Sequence, residues 1–217
     1  MTAVVRSLVA AAALAAVAAP ARAQLGLLRD LHLTGGALVY AVRQGSDVEA
    51  NSRTGTWKGV EVSVQTGRLA VRLSGMMGPL GGASTGLAQD VRETTLGVAY
   101  ALRPWLEVGV EGEALRLKSD LAVTVWRLYG VRLGVSQGLG VEGLTGRADF
   151  AVYPMTGVVA ARALARPMRA EVGLVWAPPR WPVEARFAYR VEHIDFEDTN
   201  DLRLAGLLGG IAVRFGR

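Results

Sequence analysis

From residue 33 onward, apolar and polar positions alternate one for one along most of the chain. Val60, Val62 and Val64 oppose Glu61, Ser63 and Gln65, and Leu69, Val71 and Leu73 oppose Arg68, Arg72 and Ser74. Leu106, Val108 and Val110 oppose Glu107, Gly109 and Glu111, while Val131, Leu133 and Val135 oppose Arg132, Gly134 and Ser136. Ala148, Phe150 and Val152 oppose Arg147 and Asp149, and Val172, Leu174 and Trp176 oppose Glu171 and Gly173. Ala185, Phe187, Tyr189 and Val191 oppose Glu184, Arg186, Arg190 and Glu192. Strand side chains leave alternate faces, so each run predicts a strand with one greasy and one polar face. Ten runs emerge: about 33–43, 56–66, 68–77, 91–102, 106–117, 123–136, 140–153, 168–177, 183–194 and 202–215. Most are roughly twice the usual five or six residues. They match the ~9–11 residues that a tilted strand needs to cross a bilayer.

The connections alternate in length. Thr66-Gly67, Arg103–Trp105, Gln137–Leu139 and Pro178–Pro182 are tight, whereas 44–55, 78–90, 118–122, 154–167 and 195–201 are longer, 118–122 least so. That is the rhythm of an up-and-down antiparallel barrel with short turns at one end and long loops at the other. An even strand count is required if both termini share one side. Ten satisfies it, with eight as the fallback if a weak run is not a strand. The first run, holding Gly35 and Gly36, and the last, blurred at Leu207-Leu208, are the least regular. Tyr100, Trp105, Trp176, Trp181 and Phe215 fall beside short turns or the C-terminus, and Tyr40, Trp57, Tyr153 and Phe196 near long loops. Aromatics at both strand ends suggest two interfacial girdles.

The N-terminus differs in kind. Arg6 precedes an unbroken apolar run from Leu8 to Ala19, Pro20 breaks it, and Ala21-Arg22-Ala23 is a small-x-small cleavage signal. This is a secretory leader over 1–23, and the barrel domain is expected over 24–217. The apolar run is too short to span a bilayer as a helix. No cysteine follows it, so a lipoprotein anchor is excluded.

Composition narrows the chemistry. The chain has no cysteine, which excludes disulfides, zinc–thiolate sites, iron–sulfur clusters and cysteine catalysis. The formal charge of +5 falls to +3 once Arg6 and Arg22 are removed, and basic residues are interleaved with acids, so no nucleic-acid partner is expected. Turning the polar faces inward lines the lumen with Glu61, Glu93, Glu107, Glu111, Glu113, Asp149, Glu171, Glu184 and Glu192. Arg68, Arg72, Arg132, Arg147, Arg169, Arg186, Arg190 and Arg214 face them. Nine acids against eight bases nearly cancel, and arginine pairs carboxylates bidentately. A barrel of about eight strands is filled by its own side chains. A ten-stranded one is therefore expected to be largely occluded.

These features resemble the small bacterial outer-membrane β-barrels of the opacity-type and OmpA-barrel-like group. The resemblance is carried by the leader, by Tyr100-Ala-Leu-Arg-Pro-Trp-Leu-Glu-Val-Gly109 as a strand, tight turn and strand, and by the last strand, Leu208 to Phe215. It implies an all-β fold: one closed antiparallel transmembrane barrel in the bacterial outer membrane. It also implies outer-membrane lipid and the barrel insertion machinery as partners, with the external partner left open. Family barrels usually end on an aromatic residue, and here Gly216 and Arg217 come after Phe215.

Two other motifs bear on function. Gly138-Leu-Gly140-Val-Glu-Gly143 has dinucleotide spacing, but Leu144 to Val152 alternates like a strand where a phosphate-binding helix is required. A turn is the better reading. His193, Asp195 and Glu197 share one face at a strand end, with Asp47 and Glu49 in the first loop as possible company. They suggest a hydrolase, although no complete second constellation accompanies them. The expected function is a non-enzymatic structural or surface-interaction barrel without cofactor or metal. The alternatives are a narrow channel or small-ligand transporter through the charged lumen, and an outer-membrane hydrolase using His193 and Asp195.

Overall fold

The structure, a computed structural model, describes residues 31–45, 52–81, 89–119, 123–158, 167–194 and 202–215. The leader, Asp47, Glu49, Asp195, Phe196, Glu197, Gly216 and Arg217 lie outside the described residues.

Ten strands form: β1 (Leu31–Gly45), β2 (Arg53–Thr66), β3 (Leu69–Leu80), β4 (Gln89–Arg103), β5 (Leu106–Lys118), β6 (Val123–Gly138), β7 (Leu144–Val158), β8 (Met168–Trp176), β9 (Val183–Ile194) and β10 (Leu202–Phe215). Each pairs antiparallel with its chain neighbours, and β1 closes on β10. The closing ladder is long, from Leu33↔Phe215 to Gly45↔Arg203, so the two least regular runs of the sequence are full members of the barrel. Ten strands, not eight, make the wall.

The strands are tilted. The row of paired residues that starts at Thr66 beside Leu69 passes through Tyr100, Val108, Leu133, Phe150, Ala170, Val191, Ala205 and Arg43. It returns to β2 at Thr54, at the other end of the strand. This stagger is what closing a twisted sheet requires. Rows therefore climb towards the long-loop end on passing from β2 through β3 to β1.

The apolar stripes point outward and are bare: Val110 is 60% exposed, Val172 60% and Ile211 65%. The polar partners of these stripes point inward. Tight turns close one end. Gly67 takes a positive φ of 54° in the β2–β3 turn, a conformation that favours glycine. β7 begins at Leu144, not at 140 as the alternation suggested, because Gly140 and Gly143 sit at φ 76° and 75° in the preceding turn. The dinucleotide-like spacing is therefore turn chemistry.

Outward aromatics gather at the short-turn end, where Tyr100, Trp105, Trp176, Trp181 and Phe215 are exposed, with Phe150, Phe187, Tyr189 and Tyr129 spread singly further up the wall. The expected second girdle is absent among the described residues. Tyr40, Trp57 and Tyr153 fall on the inward phase of their strands and are completely buried. Nearness to a strand end cannot tell which face a ring takes; parity does.

Gly130 lies where β6 and β7 shift register between Tyr129 and Val131. A Cβ there would meet the Val152 carbonyl oxygen and lie 2.9 Å from Tyr153 Cα. Gly130→Val is expected to destabilise the folded barrel by about 1–3 kcal/mol. Gly209→Val, where a Cβ meets nothing within 4 Å, is the control and should leave the urea midpoint of refolding unchanged.

Candidate functional site

Along each strand the inward residues change character towards the long-loop end. On β5 they run Glu107, Gly109, Glu111, Glu113, Leu115, Leu117. On β4, Val91 lies beyond Glu93, and on β9, Ile194 lies beyond Glu192. The interior is thus layered, with charge in the middle and an apolar plug above it. The plug includes Trp57, Leu80, Val91, Leu115, Trp126, Leu128, Ile194 and Leu204, all buried. Tyr40 stacks edge-on against Trp57 at 5.4 Å between ring centroids. Alternation alone does not reveal this plug, because it implies inward faces that are polar throughout. Leu115 and Leu117, in phase with Glu111 and Glu113, were the available signal.

The charges beneath the plug form two groups. In the first, next to the plug, Arg169 reaches Glu111 at 2.5 Å and Glu113 at 2.6 Å. The Tyr153 hydroxyl donates at 2.5 Å to Glu111 and lies 3.0 Å from Glu113. Arg190 Nη2 lies 2.9 Å from Glu93, 3.2 Å from Glu192 and 4.0 Å from Glu113, and its guanidinium sits 5.6 Å from the Tyr40 ring centre. Glu93, Glu113 and Glu192 offer oxygens within 4.8 Å of one another, a spacing that suits a hard cation. The Arg190 guanidinium already holds the position between them. One oxygen of each of these three carboxyls still has no hydrogen-bond partner.

The second group lies towards the short turns. Glu107 receives Arg72 at 2.9 Å and Arg147 at 3.0 Å, with Arg132 at 3.9 Å. Asp149 binds Arg147 at 2.7 Å and also Arg132. Arg186 bridges Glu61, at 3.1 Å, and Glu171. Three of these seven pairs, Arg72–Glu107, Arg147–Glu107 and Arg186–Glu61, join strands that are not neighbours and so brace the barrel across its width; the other four lie within a strand or between adjacent strands. A cavity of about 210 Å³ threads among them, lined by Glu61, Arg72, Glu171, Glu184 and Arg186 among others.

Two of the residues assigned to the lumen network stand elsewhere. Arg68 is not in a strand; it is an exposed turn residue, because the β2–β3 turn takes Gly67 and Arg68 together. Arg214 is on the inward phase of β10, but it donates to the carbonyls of Pro178 and Trp181 at 2.7 and 2.6 Å, tying the last strand to the β8–β9 turn. Glu184 lines the cavity. His193 is on the outward phase of β9, between the buried Glu192 and Ile194. The structure does not join it to the inward carboxylates.

This architecture has solved counterparts. The chain is similar to the outer membrane protease OmpT from Escherichia coli, with a TM-score of 0.58 at 6% identity, over 85% of this chain and 97% of that one. It is also similar to Neisserial surface protein A, NspA (TM-score 0.44, 14% identity, 86% of this chain and 97% of that one). The translocator domain of the autotransporter NalP from Neisseria meningitidis gives 0.43 at 11% identity, over 86% and 88%. No family model matches the chain, and no curated protein matches it in sequence. The fold is that of the bacterial outer-membrane β-barrels.

Arg190 faces the largest concentration of buried acid. Arg190→Met leaves Glu93, Glu113 and Glu192 without their shared cation and should cost about 3–5 kcal/mol of stability. Adding Glu93→Leu should recover part of the loss. Urea unfolding of both variants measures it.

Proposed function

We propose that this chain is a non-enzymatic integral barrel of the bacterial outer membrane, of structural or surface-interaction type and akin to the opacity-type group. In this reading the segment 1–23 is a cleaved leader, the barrel insertion machinery places the strands, and the long loops face outside. Short turns lie on the periplasmic side of such barrels, and long loops on the other.

The observation that carries the reading is the layered interior. A solute path needs continuous water from end to end. Here Trp57, Leu115, Leu128 and Ile194 fill the cross-section above the ion pairs, each almost fully buried. The paired charges beneath spend their valence on one another. That arrangement suits a rigid plugged cylinder that presents loops. It disfavours the narrow channel, which would need the plug to part. His193 stands on the outward phase of β9, so a hydrolase built on it would not use the carboxylates of the lumen. Outward stripes as bare as Val110 and Ile211 call for a hydrocarbon phase, since leaving such surface in water costs about 25 cal/mol per Å².

Two measurements test the reading. The overexpressed chain should sediment with outer membranes and migrate differently on gels before and after heating; a fully soluble periplasmic product defeats it. In planar bilayers the protein should be silent across voltages and salts. The double variant Trp57→Ala/Leu115→Ala, which empties the centre of the plug, should introduce conductance steps. Conductance from the unmodified chain favours the channel.

A further inference from the structure

The barrel sorts its charges with a strong bias. Among the described residues, the acids on strands point inward with one exception, Asp90. The basic residues divide between the two faces. Arg43, Lys58, Arg92, Arg116, Arg127 and Arg203 are exposed on the outward phase of their strands, all in the half nearer the long loops. None of the six forms an ion pair with a described residue. Lys118 is outward too, and it faces Asp90 in register.

Scattered along the sequence, these six form no basic block. The barrel gathers them. Arg92 and Arg116 are direct partners across β4 and β5. Arg127 pairs with Ala114, two positions from Arg116 on the same face. Arg43 pairs with Ala205, two positions from Arg203. The climb of the rows brings Arg43, Arg92, Arg116, Arg127 and Arg203 to nearly one height, with Lys58 slightly nearer the midplane. Below them on the same face lie Val62, Leu73, Leu96 and Val110.

Like charges directly opposite each other on a sheet face repel. Asp90 is the one acid beside them on this face; it lies across from Lys118 and forms no ion pair with Arg92 or Arg116, so two arginines in register point to an anion from outside the chain. A protein partner would have to reach this surface through the hydrocarbon edge. A lipid is already there, with its acyl chains along the valines and its headgroup at the arginines.

We propose that the collar of Arg43, Lys58, Arg92, Arg116, Arg127 and Arg203 binds the phosphate groups of outer-leaflet lipids, with preference for headgroups bearing phosphomonoesters. Planar guanidiniums engage phosphate oxygens bidentately, and a phosphomonoester offers more charge and more free oxygens than a phosphodiester. The Arg92–Arg116 pair is the centre of the site. The inference rests on the membrane reading above and names the lipid chemistry that would surround the barrel.

Spin-label spectroscopy on the full chain refolded into phosphatidylcholine vesicles tests it. The probes are spin-labelled phosphatidic acid and spin-labelled phosphatidylcholine, and the readout is the fraction of each held motionally restricted by the protein. The unmodified chain should prefer phosphatidic acid by about fivefold or more, since each basic residue near the surface attracts anionic lipid by about that factor. Arg92→Gln/Arg116→Gln/Arg127→Gln should bring the ratio close to one. Arg68→Gln/Arg103→Gln, at the short-turn end, should leave it high. Heat-modifiable migration verifies that each variant is folded.

An unmodified chain without preference overturns the inference, as does a preference that survives the triple variant. Binding of polyglutamate to the vesicles in place of lipid selectivity also overturns it, in favour of an acidic protein partner. Failure of the chain to float with the vesicles overturns the membrane reading itself, a result distinct from insertion without selectivity.

Discussion

Closure of β1 on β10 is the constraint on which the other features of this barrel depend. A ten-stranded sheet with free edges would leave two rows of backbone donors and acceptors unpaired, and an apolar medium cannot satisfy them. Closing the sheet fixes the stagger that carries the pairing row from Thr66 round to Thr54. It also divides every strand's side chains into two environments that cannot mix. Inside, space is finite and water scarce. Outside, the surface is unlimited.

The inner environment explains why the charges come as arginine and carboxylate. A buried charge is tolerated when it is paired and hydrogen-bonded, and a guanidinium can serve several carboxyls at once. Arg190 does so for Glu93 and Glu192, and Arg169 for Glu111 and Glu113. Both lysines of the chain, Lys58 and Lys118, are on the outward phase, where a compact hydrated ammonium loses little. The apolar plug above the ion pairs serves the same economy of water, because it shields them from solvent entering at the loop end. Pairing and plug together make a rigid interior.

The outer environment has a gradient of its own. Aromatics are densest at the short-turn end, valines, leucines and a few rings fill the middle, and arginines that form no ion pair with a described residue stand near the loops. This polarity gives the cylinder a direction. Its two rims differ in chemistry, and the functional reading comes from that asymmetry together with the sealed interior, not from any catalytic constellation.

The amino-acid sequence by itself determined the number of strands, their approximate limits, the alternation of tight turns and long loops, and the division of each strand into a greasy and a charged face. These are local properties: a period of two, a Pro or Gly turn and a run length can be read without knowing what lies opposite. The structure corrected the sequence where the answer depended on a neighbour. The start of β7 moved to Leu144 because Gly140 and Gly143 adopt left-handed backbone. Tyr40, Trp57 and Tyr153 became core, not girdle, because parity outweighed proximity to the rim. Which arginine meets which carboxylate, the sealing of the loop half by residues from most of the strands, and the gathering of distant outward arginines to one height were decided only in three dimensions. Register and stagger bring together side chains more than a hundred residues apart, and no pattern along a single strand encodes that meeting.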